Sequence, residues 1–125
     1  MTDYLTIDVL LVIAERAIDA DVAVRDFGLL ESALARPQAT VFGQDAYLDL
    51  HVKAGALLHS LCSHLALVDG NKRLAWAATV VFLYLNGWHV VAAEDDAYDL
   101  VIGVASGKND VEGIGAALRA WSRQL

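Results

Sequence analysis

A single cysteine, Cys62, excludes an internal disulfide and with it the stapled architecture of small secreted domains. Cations are also scarce. Nine Lys and Arg against sixteen Asp and Glu leave a net charge of −7, which argues against direct binding to nucleic acid, whose affinity comes largely from neutralising phosphates. No apolar run reaches the roughly 20 residues a bilayer requires, because Asn86-Gly87 breaks the longest apolar zone, Leu74 to Ala93. The N-terminus MTDYLTIDVLLVIAERAI lacks a basic region and a small-residue cleavage site, so a cytoplasmic protein with no membrane association is expected.

Three kinds of site are missing too. His51, His59, His64 and His89 include no pair four residues apart, which excludes the helical two-histidine zinc motif. No Gly-x-Ser-x-Gly elbow is present for acyl transfer. Gly103 to Asn109 imitates a P-loop but has three residues between its glycines, one too few, and Asn109 in place of the Mg²⁺-binding hydroxyl; it reads as a helix C-terminus.

What the chain has in abundance is apolar surface at helical spacing. Hydrophobic residues make up 57% of 125 residues, enough for one domain, 1–125, with a core of its own. Thr6 is predicted to cap a helix running to about Ala20, and Asp26 to start a short one that Pro37 stops. Gln38 to Gln44 reads as loop. Asp45 is predicted to cap a long helix whose apolar stripe comprises Tyr47, Leu50, Ala54, Leu57, Leu58, Leu61 and Leu65. The helix Leu74 to Leu85 is apolar nearly all round, so it is expected to be the central, enclosed element. Trp88 to Val91 reads as a short extended piece, Glu94 to Ser106-Gly107 as another helix, and Asp110 as the cap of the last, with Ile114, Ala117, Leu118 and Trp121 inward. Trp76, Trp88 and Trp121 are expected in the core. The result is an all-α single domain of about six helices.

Asp69-Gly70-Asn71-Lys72-Arg73 stands out from this pattern. Turn chemistry accounts for Asp, Gly and Asn, but two adjacent cations at a helix start are disfavoured by roughly 0.3–1 kcal/mol each unless an anion compensates. Backbone amides, the positive dipole end, Lys72 and Arg73 together are expected to make an anion site, with Asp69 as an oxygen ligand for Mg²⁺ beside a phosphate; the alternative is a capping turn followed by a solvated charge pair.

Leu57-Leu58-His59-Ser60-Leu61 followed by Leu67-Val68-Asp69-Gly70-Asn71-Lys72-Arg73-Leu74-Ala75-Trp76 resembles the Doc (death on curing) branch of the Fic/Doc family. Gly28 to Pro37 and Tyr47 are similar to the region before the motif in that branch. The resemblance implies a bacterial toxin of a toxin–antitoxin pair with a Fic-type fold, neutralised by a Phd-type antitoxin whose C-terminal segment folds into a groove. It further implies ATP or another nucleoside triphosphate and Mg²⁺ as cofactors, Asp69 as metal ligand, Gly70 and Asn71 cradling phosphate oxygens, and Arg73 on a terminal phosphate. Relatives with glycine at the position of Lys72 typically transfer AMP. Lysine there is associated with phosphate transfer, a protein kinase reaction on a threonine of elongation factor Tu, and growth arrest follows.

The family pattern sets a histidine four residues before the Asp, as general base on the attacking hydroxyl. Here that position is Leu65, and His64 stands one step early. A neighbouring residue on a helix is rotated by about 100°, so His64 is expected to point away and to be a poor substitute. The implied activity is therefore phosphoryl transfer impaired at Leu65; the alternatives are a catalytically silent nucleotide- and antitoxin-binding domain, or an AMP transferase.

Overall fold

The computed structural model describes residues 1–19 and 21–125 of the chain. Six helices carry the fold: α1 (Ile7–Ala17), α2 (Phe27–Ala35), α3 (Leu50–His64), α4 (Asn71–Leu85), α5 (Glu94–Ala105) and α6 (Val111–Trp121). The all-α reading is right, and so are three of its caps. Thr6 Oγ1 accepts from Val9 N, Asp26 Oδ1 from Leu29 N and Asp110 Oδ1 from Gly113 N. Helix α1 ends at Ala17, earlier than expected, with Ile18 extended; Ala20 lies outside the described residues. Pro37 sits in a 3₁₀ turn, Arg36–Gln38, that closes α2.

Four expectations are corrected. The segment after Pro37 is not plain loop. Strands β1 (Thr40–Val41) and β2 (Gln44–Asp45) form a hairpin whose two central residues, Phe42 and Gly43, both have positive φ, 53° and 78°. That geometry matches the strand twist but is usually announced by Asn-Gly, which explains why the pattern concealed it. Asp45 does not cap α3. Asp49 does, accepting from His51 N at 2.8 Å and Val52 N at 3.2 Å, and Tyr47 lies outside the helix. Leu65 is not on the buried stripe either, as described below.

The last correction concerns the centre. Helix α4 buries Leu74, Ala75, Ala78, Thr79, Phe82 and Leu83, but Tyr84 and Leu85 are exposed, so it is a two-sided helix rather than an enclosed one. The more enclosed element is α3, which packs against α2, α4, α5 and α6. It buries His51, Lys53 and Ser60 along with Leu57, Leu58 and Leu61. Two glycines make this possible. A Cβ on Gly55 would stand 2.7 Å from the Val111 carbonyl oxygen, and one on Gly115 would stand 3.0 Å from Val52 Cα, so α3 and α6 approach backbone to backbone. A side chain at either position would force the helices apart.

Strand β3 (Trp88–Val90) is the expected extended piece, and it pairs antiparallel with β4 (Ser122–Gln124), directly after α6. Trp121 meets Trp76 edge to face, and Trp88 meets His51 likewise; all three tryptophans pack against the core while keeping some exposure. Among the described residues no helix is long and apolar enough to cross a membrane.

Candidate functional site

The site is built where α3 stops and α4 begins. Helix α3 ends at His64, and Leu65 adopts the left-handed conformation at φ 51°, ψ 47°. A residue with a Cβ resists that conformation by about 1–2 kcal/mol. The backbone on both sides is pinned to compensate. The Arg25 guanidinium donates to the Leu65 carbonyl, and Arg25 N and Asp26 N donate to the Ala66 carbonyl at 2.7 and 3.1 Å. Val68 N donates to the Ala23 carbonyl, so that Val24 and Leu67 form an antiparallel bridge. Leu65 is thereby rolled off the apolar stripe and stands half exposed.

From Leu67 the chain turns into α4. Asn71 closes the turn: its Oδ1 accepts from Leu67 N and its Nδ2 donates to the Leu67 carbonyl, both at 3.0 Å. The Asn71 side chain is thus occupied by the loop, and its backbone amide is in the first turn of α4. Gly70 is the cap residue at φ 87°, where a Cβ would fall 2.5 Å from Ile18 Cδ1, so glycine is required twice over. Among the described residues no side chain accepts from the first-turn amides of α4; α5 shares this, whereas α1, α2, α3 and α6 each have a side-chain cap. Asp69 Oδ1 accepts from Gly70 N at 2.8 Å, and the carboxylate is exposed.

Lys72 and Arg73 are exposed in that same first turn, and neither has a carboxylate partner among the described residues. Unpaired amides, the dipole and two cations converge on one cleft of about 660 Å³. Its walls come from three helix ends: Ile18 and Asp19 after α1, His59, Cys62, Ser63 and Leu65 from α3, and Val104, Ala105 and Gly107 from α5. Burial pushes the Cys62 thiol up to about 11, more than the nearby Lys72 draws it down, so it is an inert thiol.

Leu65 borders the cleft. His64 does not: its Nδ1 lies 3.3 Å from the Leu29 carbonyl, to which it donates, and that contact turns the ring toward α2. Asp69, Gly70, Asn71, Lys72, Arg73 and Leu65 are all brought to one cavity, while His64 is left outside. The P-loop imitation is a helix C-terminus, as expected, with Lys108 N and Ser106 Oγ both donating to the Gly103 carbonyl. Among the described residues no three His, Cys, Asp or Glu side chains gather to hold a metal; Asp69 and Asp19 are the two carboxylates that line the cleft. That donor set suits Mg²⁺, which takes one or two carboxylates and draws its other oxygens from phosphates and water.

A second groove of about 680 Å³ runs between α4, β3 and α5, lined by Trp76, Val80, Val90, Ala97, Tyr98, Val101 and Ile102 among others. Lys72 and Arg73 border this groove as well as the first.

The model of the Fic/DOC family matches residues 4–83, a stretch that holds the whole Asp69 to Arg73 turn and most of α4. The chain belongs to the Fic/DOC family. It is also similar to a protein of Mycolicibacterium smegmatis (strain ATCC 700084 / mc(2)155) named Toxin Doc, with 48% identity over 124 residues, 98% of this chain and 95% of that protein. This Fic/DOC member is therefore Doc-like along nearly its whole length.

Sequence reasoning about the Fic/DOC motif missed three residues of the site. His59 read as an ordinary histidine, yet it lines the cleft. Arg36 stands behind it, bonded to Tyr47, His59 and Ser60. Arg25 holds the Leu65 carbonyl. His59, Arg36 and Tyr47 all fall inside the stretches that carry the family resemblance, which was the available signal, but Arg36 meets Tyr47 from 11 residues away and His59 from 23, a convergence not legible in a linear pattern.

Proposed function

We propose that this chain is a Doc-like toxin of a toxin–antitoxin pair that binds a nucleoside triphosphate with Mg²⁺ at the start of α4, and whose inherited phosphoryl transfer to a hydroxyl of a translation factor is impaired. The observation that carries this reading is the pairing of an open, doubly cationic helix N-terminus with Leu65 on the wall of the same cleft. Phosphate oxygens meet the backbone amides of the first turn, Arg73 takes a terminal phosphate, and Asp69 holds the metal. Bound Mg²⁺ would supply neutralisation of the phosphate charge. Gly70 lets the backbone come close, and Asn71 keeps the loop in register through Leu67.

What the arrangement lacks is a base at the motif position, where Leu65 stands. Taking a proton from the attacking hydroxyl requires a titratable group within about 2.6–3.2 Å, a reach Leu65 cannot provide and His64, bonded to the Leu29 carbonyl, does not extend into the cleft. Losing a general base lowers a rate by on the order of 10²–10⁴. The same observation favours a second reading, a silent domain that keeps the nucleotide site and the antitoxin surface. Lys72 supports phosphate transfer over AMP transfer, since its ammonium fills space beside the phosphates that a glycine would leave open. For the partner, the groove between α4 and α5 suits an amphipathic helix, which is the form a Phd-type antitoxin segment would take.

Three measurements test the reading. Titration calorimetry with ATP and Mg²⁺ should find binding to the unaltered chain and weakened binding in Arg73→Ala; equal affinities would remove Arg73 from the site. Bacteria should tolerate production of the unaltered chain and arrest on production of Leu65→His. Mass spectrometry of elongation factor Tu after incubation with ATP and the Leu65→His protein should show a phosphate increment, whereas an AMP increment would overturn the role given to Lys72.

A further inference from the structure

One wall of the phosphate cleft carries a histidine whose proton can be placed from geometry. Arg36 lies behind it, its Nε donating to Tyr47 Oη at 3.2 Å and its Nη1 to Ser60 Oγ at 3.1 Å, with the same Nη1 2.8 Å from His59 Nδ1. A guanidinium has donors only and does not give up its proton. His59 Nδ1 is therefore the acceptor, and the ring proton of the neutral imidazole resides on Nε2. That atom has no hydrogen-bond partner among the described residues. It is not sealed either, since the buried side-chain nitrogen left without a partner is His51 Nε2. The open space His59 borders is the phosphate cleft and an adjoining hollow formed with Lys108, Asn109 and Asp110.

We propose that His59 is a ligand-binding residue of this site, a neutral imidazole whose Nε2–H, set by Arg36, donates to a phosphate oxygen of the bound nucleoside triphosphate. The inference rests on the nucleotide reading above and adds a donor to it from α3, facing the cations of α4. It also removes His59 as a replacement for the missing base. A base must present a lone pair to the hydroxyl, and the lone pair of this ring is taken by Arg36. Protonating the ring would set two donors against each other; burial first, then Arg36 and His64, hold its pKa below the ordinary histidine value. Arg36 acts through His59 and is a positioning residue.

Two experiments on the full chain test this. Nitrogen-15 NMR of the histidine rings at neutral pH should report the Nε2–H tautomer for His59, and a partial shift toward Nδ1–H in Arg36→Met, where the donor is gone. An Nδ1–H or fully protonated ring in the unaltered chain overturns the inference. Calorimetry with ATP and Mg²⁺ should show binding weakened about tenfold in His59→Ala, the scale of one hydrogen bond to a charged group. His59→Gln, whose amide nitrogen falls near the place of Nε2, should recover most of it. Thermal melts of each variant identify a folding defect, and His59→Gln remains decisive where His59→Ala fails to fold. If Arg73→Ala loses affinity while His59→Ala keeps it, the inference fails and the nucleotide reading stands. Equal losses in His59→Ala and His59→Gln reduce the residue to packing and overturn the donor role. No ATP binding by the unaltered chain overturns both together.

Discussion

The two ends of α3 both gather polar and charged side chains, and they treat them in opposite ways. At the N-terminal end everything is engaged or sealed. The buried Lys53 ammonium is 3.1 Å from Asp45 Oδ2, 3.4 Å from the Pro37 carbonyl and over the ring of Tyr4, and His51 is shut in against Trp88. At the C-terminal end the cations of the neighbouring helix start have no carboxylate partner among the described residues and face a cleft with His59 and Leu65. Charge by itself therefore does not mark a site here. Charge left uncompensated beside empty space is the better pointer to a candidate site, because open amides, the helix dipole and two cations all favour an anion there. Lys53 illustrates the contrast: burial alone would draw its pKa down, but hydrogen bonds and charge from Tyr4 and Asp45 outweigh this, so its pKa is raised and it remains an ammonium.

The comparison can be broken most forcefully at the open end. Leu65→His, placed on the cleft wall, is expected to raise the rate of phosphoryl transfer by on the order of 10²–10⁴, read by the initial rate of target modification. No gain would mean that position 65 does not reach the reacting hydroxyl. Next in size is the sealed end, where Asp45→Asn removes the charge that compensates Lys53. A loss of about 1.5–3 kcal/mol in unfolding free energy is expected, the range for hydrogen bonds to charged groups, with nucleotide affinity unaltered. A drop in affinity of the same order would show that the two ends are coupled.

His51 gives the sealed end a pH signature. Burial lowers its pKa in the fold, so the unfolded chain takes up its proton first as pH falls through the ordinary value of 6.5, and stability declines from there toward the lower folded value. The slope for one proton does not exceed about 1.4 kcal/mol per pH unit. Melting curves between pH 5 and pH 7.5 should show this decline, reduced in His51→Gln; since His59 is lowered in the same direction, a residual slope is expected in that variant.

The smallest effect carries the most informative sign. Arg73→Ala takes a cation from a helix N-terminus, so it should stabilise the unliganded chain by roughly 0.3–1 kcal/mol while weakening phosphate binding. Denaturant melts without and with ATP and Mg²⁺ read both. A stability loss without ligand would mean that Arg73 serves the fold and that the two ends of α3 differ less than they appear to.

What the sequence determined by itself was whatever depends on near neighbours. The caps at Thr6, Asp26 and Asp110, the periodic helices, the turn at Asp69-Gly70 and the anomaly of two cations after it follow from interactions within about four residues, and these recur in any chain with that local pattern. The departure at Leu65 was also legible, because it needs only counting. Tertiary structure decided the rest. Asp49 took the cap that Asp45 was expected to hold, because Asp45 belongs to strand β2 of the hairpin and its carboxylate pairs with Lys53 of α3. Leu65 left its stripe because Arg25, from 40 residues away, and the Val24–Leu67 bridge fix the backbone there, which is also why His64 faces α2 and not the cleft. His59 acquired its tautomer from Arg36 in the same manner. Each of these outcomes turns on which of several chemically suitable partners the fold brings within reach, and spacing along the chain holds no record of that choice.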